Sequence, residues 1–198
     1  MLGSHNSYTH LKAVNKDIFN KFTKYWRCQY KTIQEQYAVG VRFFDVRVRE
    51  EHKKVGGKDR TMWRSCHGAV DLDNLFTSLS VLCKYFQGMG PDVKIRLILE
   101  KGDETAFRKE VEDKVIPKFK SVVLQVAIKS GWKVLYSDWQ GISLTDYCYI
   151  PWDTGKGFWY NVTHFTGSTI KKWAKEHNPV VTKEMIEDPK HIYFMDCI

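Results

Sequence analysis

The sequence predicts an α/β fold, a short or distorted TIM-type (β/α) barrel with its site at the carboxyl ends of the strands. Three observations carry this. Runs of β-branched and aromatic residues alternate with segments of helical periodicity, the pattern of strands joined by helices over a parallel sheet. The chemistry-bearing residues His5, Asp45, Arg47, His67, Glu100 and Asp196 fall in or just after those strands, and a barrel gathers its strand ends on one face. At 198 residues, the chain fits one domain spanning 1–198 with room for a sizeable core, at the short end for a barrel.

The elements follow in order. A short strand runs into Gly3-Ser4-His5. Tyr30, Ile33, Gln34 and Tyr37 recur at helical spacing, which predicts a helix over about 24–38, closed by Gly40 as a C-terminal cap. Residues 41–48 are dominated by β-branched and aromatic side chains and read as a strand. The polar stretch 50–60, with Gly56-Gly57 at its centre, predicts an exposed turn or hairpin tip. A short strand follows over 63–67. From 71 to 86, Leu72, Leu75, Phe76, Leu79, Leu82 and Phe86 share one side of an amphipathic helix, broken by Gly88, Gly90 and Pro91. Residues 93–100 form a strand, and 104–128 are mostly helical with an interruption at Pro117. Short strands at 134–136 and 192–194 flank a helix near 168–176.

Composition narrows the function classes. Hydrophobic residues make up 43% and charged residues 27%, the balance of a soluble globular protein. No apolar run approaches the roughly 18 residues that span a bilayer. Met1 leads straight into Gly3-Ser4-His5 without a secretory signal, so the expected location is cytoplasmic, or secreted if an upstream leader was removed. Five cysteines (Cys28, Cys66, Cys83, Cys148, Cys197) without C-x-x-C spacing argue for buried free thiols rather than a disulfide framework or structural zinc. The formal charge of +8 fits an anionic partner or a solvated lysine-rich surface.

His5 in Gly-Ser-His-Asn-Ser and His67 before Gly68 both follow strands, and a glycine there lets backbone approach a ligand closely. The other histidines (His10, His52, His164, His177, His191) lack such settings. Asp45 and Arg47, two apart on one strand, point to the same face with Phe43, while Phe44, Val46 and Val48 face the other way. The pair is either a buried ion pair or a guanidinium fork for two phosphate oxygens, with Asp45 holding the guanidinium or an imidazole. In a closed barrel the last strand lies beside the first, which places Asp196 near His5, where a carboxylate fixes an imidazole tautomer. Glu100 can contact a substrate hydroxyl, pair with Arg47 or Lys101, or bind a metal. Two imidazoles, an arginine and a carboxylate are the parts that cleave a phosphodiester: base, acid and fixed positive charge.

With these residues in place, the chain resembles the catalytic X domain of phosphatidylinositol-specific phospholipase C, in its bacterial type. The segments that carry the resemblance are Gly3-Ser4-His5-Asn6-Ser7-Tyr8, 40–47, His67-Gly68, the strand ending at Glu100, and Met195-Asp196. It covers residues 1 to 101 and returns at the C-terminus. The resemblance implies phosphodiester cleavage by the substrate's own hydroxyl, with His5 as general base, His67 as general acid and Asp196 orienting the base. It implies that Arg47 stands where calcium sits in eukaryotic members, and that Asn6 and Glu100 contact substrate. It also implies a phospholipid or other phosphodiester substrate and a peripheral membrane surface, with no nucleic acid as partner.

Asn6 and Glu100 depart from the bacterial pattern toward the calcium-dependent enzymes. The expected cofactor is none, with calcium on Asn6, Asp45 and Glu100 as the alternative. Two other functions stay open. One is glycerophosphodiester hydrolysis, which wants a Glu-x-Asp metal pair against which Asp45-Val46-Arg47 argues. The other is a catalytically inactive phospholipid-binding module, supported by the basic charge and by Trp139, Trp152 and Trp159, which fit either a membrane interface or core packing.

Overall fold

The computed structural model describes residues 1–23, 26–148 and 170–198. Among these residues nine strands form one sheet: β1 (Leu2–Ser4), β2 (Val41–Val55), β3 (Lys58–His67), β4 (Val70–Phe76), β5 (Lys94–Lys101), β6 (Val123–Ile128), β7 (Lys133–Ser137), β8 (Ser143–Asp146) and β9 (His191–Met195). Their order is β7-β6-β5-β2-β1-β9-β8, with β3 and β4 continuing from β2 as a meander. The pairs β6/β5, β5/β2, β2/β1, β1/β9 and β9/β8 are parallel, whereas β2/β3, β3/β4 and β6/β7 are antiparallel. The sheet is therefore mixed rather than wholly parallel. It curls as an incomplete TIM-type barrel, with β7 and β8 at the two ends of the path among the described residues.

The helices are α1 (Asp17–Lys21), α2 (Ile33–Ala38), α3 (Leu79–Gln87), α4 (Glu104–Glu110), α5 (Ile116–Phe119), α6 (Ile170–His177) and α7 (Lys183–Glu187), and a π turn over Val111–Val115 joins α4 to α5. Among the described residues, no helix is long and apolar enough to cross a membrane. Side chains satisfy the orphan amides at several helix starts. Thr32 forms a capping box with Glu35, and Ser78, Asp103 and Thr182 cap α3, α4 and α7.

Several expected elements differ. The helix read over 24–38 shortens to α2, with 24–25 outside the described residues. The stretch 50–60 has its hairpin tip at Gly56-Gly57 as expected, but β2 and β3 extend through its polar flanks as a long hairpin. The single helix read over 71–86 is strand β4 followed by α3. Val70, Leu72 and Phe76 fit period 2 as well as a helical face. The β3 edge decides between them by pairing His67 with Val70 and Trp63 with Phe76. Helix then waits for the Ser78 cap. The helix read over 104–128 stops at Phe119, and the apolar run Val122 to Ile128, interrupted at Gln125, supplies strand β6, parallel to β5 and antiparallel to β7. Strand β8 and helices α1 and α7 were not anticipated. The expected helix near 168–176 is α6, its first two residues lying outside the described ones along with Trp152, Trp159 and His164.

Parity along β2 sorts the core. Phe44, Val46 and Val48 join Leu97, Leu99 and Val126 against Leu79, Leu82, Phe86, Phe107 and Val111 of the helices. Phe43 turns the other way, onto Leu124, Ile192 and Phe194 inside the curl. Gly3 lies between these inward rings. A Cβ there would come within 2.7 Å of Ile192 Cγ2 and 3.1 Å of Phe43 and Phe194, so only glycine lets β1 sit between β2 and β9. Trp63 ties the hairpin to the helical layer: its Nε1 donates to Glu110 Oε2 at 2.8 Å, and Glu110 Oε1 accepts from the Leu79 amide.

Phe86 reports on that outer layer. It is fully buried, with its ring 5.1 Å from Phe44 and 6.1 Å from Tyr8. Phe86→Ala is expected to cost about 3–5 kcal/mol through lost transfer energy and a residual cavity. A lowered denaturant midpoint at unchanged slope checks this; a loss under about 1 kcal/mol contradicts the packing described.

Candidate active site

The strand order sets β1 between β2 and β9, and the parallel registers bring their carboxyl ends level: Ser4 lies beside Phe44 on one side and Met195 on the other. His5 and Asp196 are each the first residue past their strand. The His5 amide still bonds Met195 O at 3.0 Å, which holds the two ends together. Buried Gln29 reinforces this by donating from Nε2 to both His5 O and Met195 O. Arg47 and Glu100 come from neighbouring β2 and β5. The β2–β3 hairpin brings His67 back to the same rim, where the Gly68 turn (φ 56) starts β4. That glycine serves the turn, since a Cβ there would meet nothing.

The six strand-end residues and Asn6 converge. His5 Nδ1 lies 2.8 Å from Asp196 Oδ1, and the two imidazole rings of His5 and His67 are 6.3 Å apart between centroids. Asp196 is fully buried while His5 keeps 14% exposure, so the ring is the reachable member of the pair. A carboxylate accepts only, so Nδ1 carries the ring proton and Nε2 presents its lone pair. Arg47 Nη2 and Asn6 Nδ2 both donate to that nitrogen at 2.9 Å. Asn6 adopts the left-handed conformation (φ 47) that asparagine tolerates, and its amide reaches Asp45 Oδ2 at 3.2 Å.

Arg47 is fixed on three sides. Its Nε donates to Asp45 Oδ2 at 3.0 Å and its Nη1 to Glu100 Oε1 at 3.1 Å. Asp45 Oδ1 takes Arg96 Nε at 2.8 Å, and Glu100 Oε2 takes Lys129 Nζ at 2.6 Å. Three cations thus face two carboxylates, and the network keeps positive charge beside His5. Burial alone would push the Asp45 carboxyl up, but Arg96 and Arg47 outweigh it and hold the group below the usual carboxylate range. Burial would lower Arg47, yet Asp45 and Glu100 raise it above its ordinary value.

This arrangement does not fit calcium, which takes six to eight oxygen ligands, largely carboxylate. Every carboxylate oxygen of Asp45 and Glu100 already accepts from a guanidinium or ammonium. Asn6 Oδ1, buried without a partner among the described residues, is a single neutral donor.

His67 Nδ1 donates to Trp26 O at 2.6 Å, which leaves Nε2 as the titrating nitrogen. Burial, Arg47 and His5 lower its pKa to about 4. Unfolded, the ring takes a proton near 6.5. Between these values the unfolded chain binds more protons, so the contribution of neutral His67 is fully present above pH 6.5 and is lost as pH falls toward 4. The expected loss is on the order of 3 kcal/mol across that window. Denaturant unfolding at pH 7 and 4.5 checks it, and His67→Gln is expected to flatten this part of the profile.

Arg96, Lys129, Gln29 and Trp26 support the site without having been singled out in the sequence. Arg96 was within reach of the parity argument, because it shares the inward face of β5 with Glu100. The contacts of Gln29 and Trp26 come from an irregular segment and carry no sequence signal.

Fold and site together define an incomplete TIM-type barrel with a histidine–aspartate pair and a bracketed arginine at the carboxyl ends of its strands. Among solved structures it is similar to the phosphatidylinositol-specific phospholipase C from Listeria monocytogenes, with a TM-score of 0.58 at 12% identity over 100% of this chain and 87% of that one. It is also similar to a variant of the phosphatidylinositol-specific phospholipase C from Staphylococcus aureus, with a TM-score of 0.53 at 15% identity over 100% and 84%. The likeness is one of fold. No family model and no curated protein matches the sequence.

Proposed function

We propose that residues 1–198 act as one catalytic unit, a phosphodiesterase of the phosphatidylinositol-specific phospholipase C type that works without a metal ion. The observation that carries this reading is His5 Nε2, its lone pair set by the Asp196 bond and aimed at Arg47. In the reaction, Nε2 takes the proton from a substrate hydroxyl, inositol O2 being the expected one. That oxygen forms a new bond to phosphorus and closes a cyclic phosphodiester. The phosphorus–oxygen bond to glycerol breaks, and protonated His67 Nε2 gives its proton to the departing oxygen. Arg47 binds the equatorial oxygens, where negative charge grows.

The low pKa of His67 leaves it neutral at pH 7 in the free protein. An acid must be protonated, and an anionic phosphodiester seated between the two imidazoles supplies the charge that raises it. Glu100 and its partner Lys129 are the expected contacts to sugar hydroxyls. The expected substrate is an inositol phospholipid at a membrane surface. A glycerophosphodiesterase mechanism lacks its metal pair here, since Asp45 is committed to two arginines.

Turnover across inositol lipids, lysolipids and glycerophosphodiesters, each with and without chelator, tests the proposal. Cleavage of inositol lipids that persists in chelator is expected. Loss of activity in chelator, restored by calcium, would overturn the metal-free reading. Absence of turnover on every phosphodiester would leave a binding module in its place.

A further inference from the structure

The reaction outlined above leaves one buried nucleophile beside its base unused. Cys28 is fully buried, and its sulfur, an imidazole nitrogen of His5 and a carboxylate oxygen of Asp196 all lie within 4.8 Å of one another. Main-chain bonds hold it from both sides: its amide donates to Thr9 Oγ1 at 3.0 Å, and its carbonyl accepts from the Cys197 amide at 2.6 Å. The sulfur meets Asn6 Nδ2 at 3.6 Å and Trp26 O at 3.7 Å, both weak partners, and its thiol also bonds the Asp196 carboxylate.

We propose that Cys28, His5 and Asp196 form a site for a zinc-class divalent ion that switches the base off. That the switch is inhibitory rests on the phosphodiesterase reading; the metal site itself does not. Thiolate, imidazole and carboxylate are a zinc donor set, and the thiolate selects zinc over calcium or magnesium. With metal–ligand bonds of about 2.0–2.3 Å, tetrahedral donors sit roughly 3.3–3.8 Å apart. The three donor atoms lie within 4.8 Å of one another, so the sulfur would close in by up to about an ångström, while the 2.8 Å contact between His5 and Asp196 would open by about half an ångström. The fourth position is left for water. The ion would approach the Nδ1 edge of the ring, away from Arg47, which sits at Nε2.

The chemistry of inhibition follows from the ring. Coordination takes the Nδ1 lone pair, so the ring proton leaves Nδ1 through solvent and settles on Nε2. The Cys28 S–H bond breaks and its proton is released. His5 then has no basic nitrogen facing substrate, and Asp196 is occupied. Burial and the neighbouring Asp196 carboxylate keep the thiol protonated in the free protein. Metal affinity should therefore rise with pH, by up to about tenfold per unit.

Cobalt(II) titration of the whole chain tests the site directly. A thiolate-to-cobalt charge-transfer band with four-coordinate d–d absorption is expected, displaced by zinc and absent in Cys28→Ser. Nitrogen-15 shifts of His5 should show the proton moving from Nδ1 to Nε2 on zinc binding, whether or not turnover is found. In turnover assays, zinc should inhibit the wild-type chain reversibly by chelator, and Cys28→Ser should keep basal activity while needing roughly tenfold or more zinc. Should Cys28→Ser fold poorly, Asp196→Asn gives a second arm, with cobalt affinity lowered by a comparable factor. Cobalt bound without the thiolate band, bound equally by Cys28→Ser, or bound with the His5 proton still on Nδ1 would overturn the proposal. A thiolate band without any phosphodiester turnover would uphold the site and count against the activity alone.

Discussion

His5→Ala is expected to lower inositol-lipid turnover by about 10³–10⁴-fold while changing substrate affinity little. The size follows from where the ring sits. His5 Nε2 presents its lone pair 2.9 Å from Arg47, so removing it deletes proton abstraction at the place where phosphate charge is received. Binding should survive, because Arg47 keeps Asp45 and Glu100 whatever occupies position 5. The effect should appear in kcat rather than KM, the signature of an interaction made mainly in the transition state. Asp196→Asn should act through the same ring, since an amide can present a donor to Nδ1 and move the proton to Nε2. The double variant should therefore lose little beyond His5→Ala alone. Matched rates for wild type and His5→Ala would refute the base assignment. Independent, additive losses would show that Asp196 does not act through His5.

His67→Ala should divide substrates by leaving group. An alkoxide departs only if protonated, so glycerol esters should lose about 10²–10⁴-fold. A nitrophenolate leaves without a proton, so its ester should lose far less. The hydrogen bond from His67 Nδ1 to Trp26 O sharpens this test, because it assigns the transferable proton to Nε2. The pH profile adds a second reading. With a free-protein pKa of about 4, the alkaline limb of kcat/KM, where His67 loses the proton it must donate, should lie low, and that of kcat should lie higher once the bound anion raises it. Equal losses on both ester types would show that His67 orients substrate instead of protonating the leaving oxygen.

Much of the site was legible because strand chemistry is local. Asp45 and Arg47 share parity, so a strand there had to present both on one face, and the Phe43/Phe44 alternation gave that face away. His5, Glu100 and Asp196 each fall at the end of a short strand, and the barrel rule brings such ends together without further information. The misread elements fail for the opposite reason. Residues 71–86 satisfy helical and strand periodicity at once, and only the waiting edge of β3 settles the choice. Residues 122–128 form a short apolar run interrupted at Gln125, which periodicity cannot separate from a buried helix. In the hairpin over 50–60 the tip at Gly56-Gly57 was legible, whereas the strands on either side of it form by cross-strand pairing despite their polar composition.

The sequence by itself determined the alternation of elements, the face on which Asp45 and Arg47 lie, and the set of residues at strand ends, because each depends on spacing along a few neighbouring positions. The tertiary structure alone decided what those residues do to one another. Arg96 and Lys129 arrive from β5 and the segment after β6 to occupy the carboxylate oxygens that calcium would need, and Cys28 arrives from an irregular segment to stand beside the histidine–aspartate pair. Neither could be read from spacing, since charge balance and donor geometry are set by which strands pair and how closely their ends approach.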